Sequence, residues 1–386
     1  GIKFIYCNSY FKAVVMEIKM QKKNFIKFGL LFIILLIGLI GCSKDDNETK
    51  VGVLLPLSGP AAYYGEQSRK GIEIARQEIS EQYPELKIKV YYEDNLYTPK
   101  GGVDAYRKLM DINQLDVVIT AASPVSLAVL PLSTEDKILQ IAIFSSADKY
   151  TTLNDLTFRV STTSKPEIAK MSEFIKHSNF KNLGILYFNN DFGISYKESL
   201  KKELSKLQAD VKIVGEEGFL LETSDFRTSL IKLKENNPDA IFIVGTAAHY
   251  SNILKQAKEL NLNAQFLSMR SAEDPILIKL GAEVAEGLVY TYPFDATSDL
   301  NFVKQFKASY NTNPDAYAAE AYEGFKLTAM AFAKCKKDYG CIQDYLTNLK
   351  DYNSVFGKLS FDENGDVYYD YFLKTIKDGQ FVKYIE

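Results

Sequence analysis

The sequence predicts an α/β protein made of two doubly wound parallel-sheet lobes. Short apolar runs rich in β-branched residues alternate with segments of helical periodicity, and this alternation occurs twice along the chain. A length of 386 residues suits two domains, and 46% hydrophobic with 25% charged residues is typical of a globular protein. We therefore expect two similar lobes with a cleft between them.

The first lobe begins with successive strand and helix segments. Strands are predicted at 51–55, 88–93, 116–120 and 138–143, and helices at 65–81, after Pro99 and from Val125. Such a succession of βα units predicts an open parallel sheet with helices on both faces.

The same alternation returns in the second half. Strands are predicted at 183–187, 211–217, 240–244, 265–267 and 288–292, and helices at 196–207, 226–236, 250–260, from Leu300 and from Ala318. The tail, 358–361 and 368–384, alternates like β-hairpins with turns at Asn364-Gly365 and Asp378-Gly379. A second doubly wound sheet follows from this pattern.

The N-terminal segment has the features of a secretory signal. A lysine-rich stretch precedes an uninterrupted apolar run at 28–40, which is shorter than the roughly 20 residues needed to span a bilayer. The run ends in Leu-Ile-Gly-Cys42, which resembles a bacterial lipobox. We expect a signal peptide at 1–41, an acylated Cys42 and a lipid-anchored tether at 42–49. An ordinary signal peptide with an incidental cysteine, or an uncleaved anchor, is the alternative.

Residues 1–15 fit no part of this signal, and we interpret them as an over-extended start of the chain. Met16 or Met20 would each be a conventional first residue of the signal peptide. Residues 1–41 carry six lysines and one glutamate, a net +5, so the whole-chain charge of −3 leaves −8 from Cys42 onward. An acidic protein of this kind is not expected to bind nucleic acid.

The cysteines outside the signal and the lipobox are Cys335 and Cys341. In an oxidising compartment these two would close a short disulfide loop, and the alternative is two free thiols.

Residues for catalysis or metal binding are scarce. His177 lies near the end of a surface helix and His249 follows a strand, where it could rim the cleft. No nucleophile elbow, phosphate-binding loop or dinucleotide fingerprint occurs, and the acidic stretch 362–366 departs from a calcium loop at Val367 and Leu373. We expect no catalytic residue, no metal ligand and no cofactor.

The segments that follow the predicted strands are instead rich in small hydroxyl and aromatic residues. Parallel strands bring their carboxyl ends to one edge of a sheet, where small ligands bind. We therefore expect a binding pocket for a small molecule at this edge.

Several segments resemble the leucine/isoleucine/valine-binding family, the type I periplasmic binding proteins of ABC transporters. They are Val51-Gly-Val-Leu-Leu-Pro-Leu-Ser-Gly-Pro, Glu93-Asp-Asn, Ser123-Pro-Val-Ser, Asp191-Phe-Gly, Ala285-Glu-Gly-Leu and Gly357-Lys-Leu-Ser-Phe-Asp. The resemblance implies lobes joined by three hinge crossovers, the first at 50–162 with 294–355 and the second at 163–293 with 356–386. It also implies that the hinge closes about a ligand, a motion for which these proteins are a familiar example. A permease would then be the partner of the closed form. We expect a monomer.

The resemblance also assigns ligand-binding roles to individual positions. Tyr64 matches the aromatic that covers the ligand, Ser146 the hydroxyl residue that holds its carboxylate, and Phe144 the residue whose carbonyl takes its ammonium. Phe192 and Tyr317 match aromatics of the side-chain pocket. Core packing is the alternative for each aromatic.

Other matched positions depart from the family. Ala122 stands where a second carboxylate-holding serine is expected, with Ser123 one place along, and Ala247 replaces a tyrosine. Arg270 replaces the acid that faces the ligand ammonium, where its charge would repel that group by about 4 kcal/mol at 4 Å and an effective dielectric near 20. Alternatively, Arg270 turns to solvent or pairs with Glu273 or Asp274.

The sequence thus predicts an extracytoplasmic, lipid-anchored solute-binding protein that captures an amino acid or a related carboxylate or amide for an ABC permease. A membrane-anchored sensor of the same fold, signalling to a receptor, is the alternative. We expect weak or no binding of leucine, isoleucine and valine.

Overall fold

The computed structural model describes residues 48–151 and 155–385. The predicted signal peptide at 1–41 and the predicted lipidation site Cys42 lie outside these residues. Strand β1 begins at Glu48, so the last two residues of the predicted tether belong to the fold. Thr49 is buried, and the amide of Lys50 donates to a carboxylate oxygen of Asp116.

The first sheet has five strands in the order β2-β1-β3-β4-β5. Their bounds are β1 Glu48–Leu55, β2 Lys87–Asp94, β3 Val117–Ala121, β4 Leu139–Ile143 and β5 Thr157–Arg159. The pairs β1–β3, β3–β4 and β4–β5 are parallel, and every residue of β3, β4 and β5 is buried. Burial of whole strands explains their continuous apolar sequences.

The second sheet has seven strands in the order β14-β13-β10-β9-β8-β6-β7. Their bounds are β6 Asn182–Phe188, β7 Lys212–Phe219, β8 Ala240–Val244, β9 Gln265–Ser268, β10 Val289–Tyr292, β13 Phe372–Lys377 and β14 Gln380–Lys383. Strands β6 to β10 pair in parallel, whereas β13 runs antiparallel to both β10 and β14. A separate ribbon joins β11 Tyr352–Ser354 to β12 Gly357–Leu359.

Helices cover both sheets. Their bounds are α1 Ala62–Gln82, α2 Pro99–Asn113, α3 Ser123–Asp136, α4 Ser164–His177, α5 Asp191–Lys206, α6 Arg227–Glu235, α7 Ala247–Glu259, α8 Pro275–Ala285, α9 Asn301–Tyr310, α10 Ala316–Cys335 and α11 Tyr339–Thr347. After β10 the chain returns to the first sheet, because α10 packs along α1 and against β4. Between residues 48 and 385 the chain therefore passes between the two sheets more than once.

The predicted fold class is confirmed, with local differences. Helices α5 and α7 begin earlier than predicted because their first turns carry cap and loop residues such as Asn190, whose side chain accepts from Gly193. The turn at Asp378-Gly379 joins β13 to β14 as predicted. By contrast, Asn364-Gly365 is spanned only by an isolated bridge between Phe361 and Val367, since β12 pairs with β11 instead.

Cys335 and Cys341 are joined by a disulfide at the turn between α10 and α11, with their Cα atoms 5.6 Å apart. Among the described helices, none combines the length and apolar character needed to cross a membrane.

Candidate functional site

The ends of the parallel strands of both sheets meet at a small enclosed cavity of about 10 Å³. It is lined by Tyr64, Tyr97, Phe144, Phe192, Gly245, Met269, Arg270, Ser271 and Tyr317. A cavity of this size has room for about one water molecule, whereas pockets for drug-sized ligands are roughly 300–1,000 Å³. The walls of the site are therefore in contact, and a solute enters only if they separate.

Aromatic side chains form the wall contributed by the first sheet. The ring of Tyr64 lies 4.6 Å from that of Tyr317, and Phe144 meets Tyr317 edge-on at 5.3 Å. The Tyr64 hydroxyl crosses to the second lobe, where it accepts from the amide of Ala247 at 3.0 Å and donates to the carbonyl of Ser271 at 3.1 Å. Tyr64 thus ties the two walls together.

Arg270 enters the site from the segment after β9, and only 2% of it is exposed. Its guanidinium forms an ion pair with Glu320 of α10 and donates to the Ser146 hydroxyl at 3.3 Å. The guanidinium carbon lies 5.7 Å from the ring centre of Tyr317. Although burial opposes the charge, the Glu320 carboxylate raises the pKa of Arg270 well above its usual value.

Glu320 is fully buried and has four hydrogen-bond partners. Besides Arg270, its carboxylate accepts from the amide of Phe144 at 2.8 Å, the hydroxyl of Ser161 at 2.9 Å and the hydroxyl of Tyr369 at 2.5 Å. Tyr369 lies in the segment that leads to β13. The ion pair is consequently held by residues that follow β4 and β5 of the first sheet and by one that precedes β13 of the second.

A second buried acid lies behind the arginine. Glu167 of α4 accepts from the Arg270 amide at 2.9 Å, the Thr291 hydroxyl at 2.8 Å and the Tyr196 hydroxyl at 2.5 Å. Burial raises the pKa of Glu167, against the opposing effect of Arg270. Glu167 therefore fixes the backbone at Arg270 and is not aimed at the cavity.

The loop after β4, residues 144–147, is held rigidly from both sides. The Ser123 hydroxyl oxygen accepts from the amides of Ser146 at 3.0 Å and Ala147 at 3.1 Å. Arg159, fully buried, donates to the carbonyls of Ser145 and Ala147 and to a carboxylate oxygen of Asp366. Arg159 is therefore a positioning residue for the loop that carries Ser146.

Two larger grooves lie on the surface. One of about 1,130 Å³ runs between α4, α5 and the 360–368 segment, and one of about 1,000 Å³ lies beside the β13–β14 hairpin. Both are open to solvent, and although the second is lined by the Glu273–Lys374 ion pair, neither is lined by Arg270 or Glu320. Within residues 48–151 and 155–385, no cluster of His, Cys, Asp and Glu could hold a metal ion.

Comparison with known proteins assigns the family. The sequence profile of the family described as periplasmic binding protein matches residues 48–380. The chain belongs to the periplasmic binding protein family.

Relatives and solved structures agree with this assignment. The Leu/Ile/Val-binding protein homolog 1 of Brucella suis is 24% identical over 327 residues, which are 83% of this chain and 87% of the relative. A leucine-binding protein from Thermotoga maritima superposes with a TM-score of 0.80 at 23% identity, covering 87% of this chain and 98% of that one. A solute-binding protein of an ABC transporter from Rhodopseudomonas palustris, solved with 3,4-dihydroxybenzoic acid, has a TM-score of 0.77 at 22% identity, covering 87% and 96%. The two structures establish the shared fold.

Most residues that the sequence singled out lie at the site of this periplasmic binding protein. Those that line the cavity are Tyr64, Phe144, Phe192, Arg270 and Tyr317. Ser146, Ser123 and Ala247 act from just behind, through hydrogen bonds to Arg270, to the 144–147 loop and to Tyr64. Ala122 caps α3 with its backbone, at a φ of 80°, and does not line the cavity.

Arg270 neither turns to solvent nor pairs with the neighbours considered from the sequence. Glu273 pairs with Lys374 and accepts from the Tyr290 hydroxyl, whereas Asp274 caps α8 through the amide of Ile276. The repulsion expected between Arg270 and a ligand ammonium is reduced because Glu320 compensates the charge.

Sequence reasoning assigned no binding role to Tyr97, Gly245, Met269, Ser271 or Glu320. Tyr97 and Ser271 follow predicted strands and could have been found on that ground. Glu320 lies within a helix, where a single acid among alanines has no distinctive pattern.

The two histidines do not line the cavity. His249 is buried in the first turn of α7, where its ring contacts the Thr246 amide and the Leu221 carbonyl. Burial lowers its pKa. His177 is exposed at the end of α4 and contacts the carbonyl of Glu173.

Proposed function

We propose that this periplasmic binding protein is the lipid-anchored receptor of an ABC transporter and captures a small carboxylate between its two lobes. The observation that carries the proposal is a buried guanidinium beside a hydroxyl in an aromatic-lined site that both lobes complete. A guanidinium is a fork of donors that suits a carboxylate. The family membership supports a binding role and an extracytoplasmic location.

The site favours a carboxylate with a planar apolar body over a branched-chain amino acid. Tyr64, Tyr97, Phe144, Phe192 and Tyr317 present flat apolar surfaces to the cavity. Glu320 is the acid nearest to Arg270, yet its four partners leave it little capacity to accept from a ligand ammonium. The dihydroxybenzoate bound by the Rhodopseudomonas palustris neighbour has the chemistry that such a site would accept.

The proposed lobes are residues 50–162 with 294–355 and residues 163–293 with 356–386. Their support is the packing of α10 on α1 and β4, and the pairing of β13 with β10 in the second sheet. The ribbon β11–β12 spans residue 355, so we assign it to the third crossover. Ligand contacts to both lobes would then shift the population toward the closed state.

A thermal-shift screen followed by calorimetry tests the ligand class. The panel contains benzoate, 4-hydroxybenzoate, 3,4-dihydroxybenzoate, leucine, isoleucine, valine and short amides. We expect the aromatic carboxylates to stabilise the protein, by about 2.7 kcal/mol at a hundredfold excess over Kd, and Arg270→Glu to abolish their binding. Micromolar leucine binding that Arg270→Ala leaves unchanged would contradict the proposal.

A further inference from the structure

We infer that Glu320 is a specificity-determining residue: its carboxylate is a built-in competitor that occupies Arg270 and limits how tightly the cleft binds anions. The inference deepens the proposed function and rests on it for the ligand class. Its own basis is the geometry of the Arg270–Glu320 pair.

The pair joins the two lobes. Arg270 follows β9 of the second sheet, whereas Glu320 lies on α10, which packs on the first. Opening of the cleft therefore separates the two charges, and closure brings them together in a site where both side chains are almost completely buried. A carboxylate solute that reaches Arg270 in the closed form has to share it with Glu320.

The partners of Glu320 are those that would hold a bound carboxylate. A backbone amide, two hydroxyls and a guanidinium surround it, from Phe144, Ser161, Tyr369 and Arg270. Such charge-assisted bonds to a fully buried carboxylate are strong and specific. The protein therefore supplies one anion from its own chain, and the closed cleft is charge-compensated before any solute contributes.

Glu320→Ala tests the competition without knowledge of the natural solute. This substitution removes a CH₂–COO⁻ fragment, which acetate reproduces. We expect sodium acetate at about 50 mM to raise the Tm of the Glu320→Ala full chain by several degrees relative to sodium chloride at the same ionic strength. The unaltered protein should show no acetate-specific rise, because Glu320 fills the position, and neither should Arg270→Met/Glu320→Ala, because the cation is gone.

Glu320→Gln tests the same point where the alanine variant is too unstable to purify. The amide keeps the shape of the side chain but frees the charge of Arg270, so calorimetry should give at least tenfold tighter binding of benzoate than to the unaltered protein. Glu273→Gln is the matched control, since it removes a largely buried, ion-paired acid outside the cavity and should leave benzoate affinity unchanged.

Two results overturn the inference. One is a folded Glu320→Ala protein whose Tm does not respond to acetate, or responds equally without Arg270; the other is a Glu320→Gln protein that binds benzoate no more tightly. Failure of the proposed function is distinguishable, because acetate rescue persists even if the unaltered protein binds none of the screened carboxylates.

Discussion

In the cleft, the charges of Arg270 and Glu320 compensate each other. A buried ion pair is weak support for stability, because desolvation offsets much of the attraction, but loss of one partner leaves an uncompensated charge. Arg270 and Glu320 are therefore better understood as determinants of which charges the cleft admits. Arg159 differs, since its bonds to two carbonyls and to Asp366 hold one loop in place.

Backbone strain occurs in two of the loops that border the cleft. Ala122 has a φ of 80° and Phe144 a φ of 31°, and both directly follow strands of the first sheet. Residues other than glycine adopt such angles at a cost of order 1–3 kcal/mol, and they occur preferentially where function fixes the backbone. The loops bordering the cleft are thus held in conformations that their sequences do not favour.

Asp315 gives the stability of the protein a testable pH dependence. It caps α10 by accepting from the Ala318 amide, and burial raises its pKa to about 7. Between about pH 4 and 7 the folded state keeps a proton that the unfolded state has released, so stability falls as pH rises. Asp315→Asn keeps the cap but cannot ionise, and should reduce this fall by an amount on the order of a few kcal/mol.

Chemical denaturation at pH 5, 6, 7 and 8 measures this effect. Part of the fall in stability with pH should persist in the variant, because burial also raises the pKa of Asp274 to about 6 and that of Glu323 to about 7. Asp338→Asn, which changes an exposed cap on α11, is the control for replacing a capping aspartate. Equal slopes for Asp315→Asn and the unaltered protein would refute the assignment.

Among the contacts between secondary-structure elements, the packing of α1 against α10 is the most extensive. A Cβ atom added at Gly71 would lie 2.0 Å from the carbonyl oxygen of Ala318, so an alanine there forces the two helices apart. Gly71→Ala should lower the free energy of unfolding by at least about 2 kcal/mol.

Gly340→Ala on α11 is the matched control, because its Cβ would come no nearer than 3.4 Å to a side-chain oxygen of Asp338. Alanine is favoured over glycine in helices by about 1 kcal/mol, so this variant should be as stable as the unaltered protein or slightly more stable. Denaturant titration distinguishes the two variants, and equal stabilities would contradict the packing described for α1.

Sequence periodicity was sufficient to predict the main strands and helices. It failed for elements whose formation depends on tertiary contacts. Strands such as β3 and β8 are buried throughout and have unmistakable apolar runs. Strand β5 has three residues, too few for any period, and α8 was missed although Asp274 and Pro275 form a helix-start signal.

The candidate site was predictable only in part. Tyr64 and Arg270 could be found because each has a counterpart in a known family, and the structure places both at the cavity. The Arg270–Glu320 pair joins residues 50 positions apart on opposite lobes. Whether the two side chains meet depends on how the lobes close, and no local sequence pattern carries that information.

At the scale of the whole molecule, the anchor at Cys42 remains a prediction. Acyl chains contribute about 0.8 kcal/mol for each buried CH₂, so loss of the acylated cysteine should release the protein from membranes or leave its signal unprocessed. Membrane fractionation of Cys42→Ala tests this, with Asn47→Ala in the same predicted tether as the control that should fractionate like the unaltered protein. Normal processing and membrane association of Cys42→Ala would exclude the lipoprotein interpretation.

Binding of a solute is proposed to close the hinge between the two lobes. The Tyr64 hydrogen bonds to Ala247 and Ser271 and the Arg270–Glu320 pair all cross between lobes, and separation of the walls has to break them. The proposed carboxylate would add contacts to both lobes, which would favour the closed form.

Small-angle X-ray scattering of the protein, with and without the tightest carboxylate from the screen, tests this claim most directly. Saturation with the carboxylate should lower the radius of gyration and bring the scattering curve into agreement with the closed structure. A carboxylate that binds tightly while the radius of gyration stays the same would contradict it.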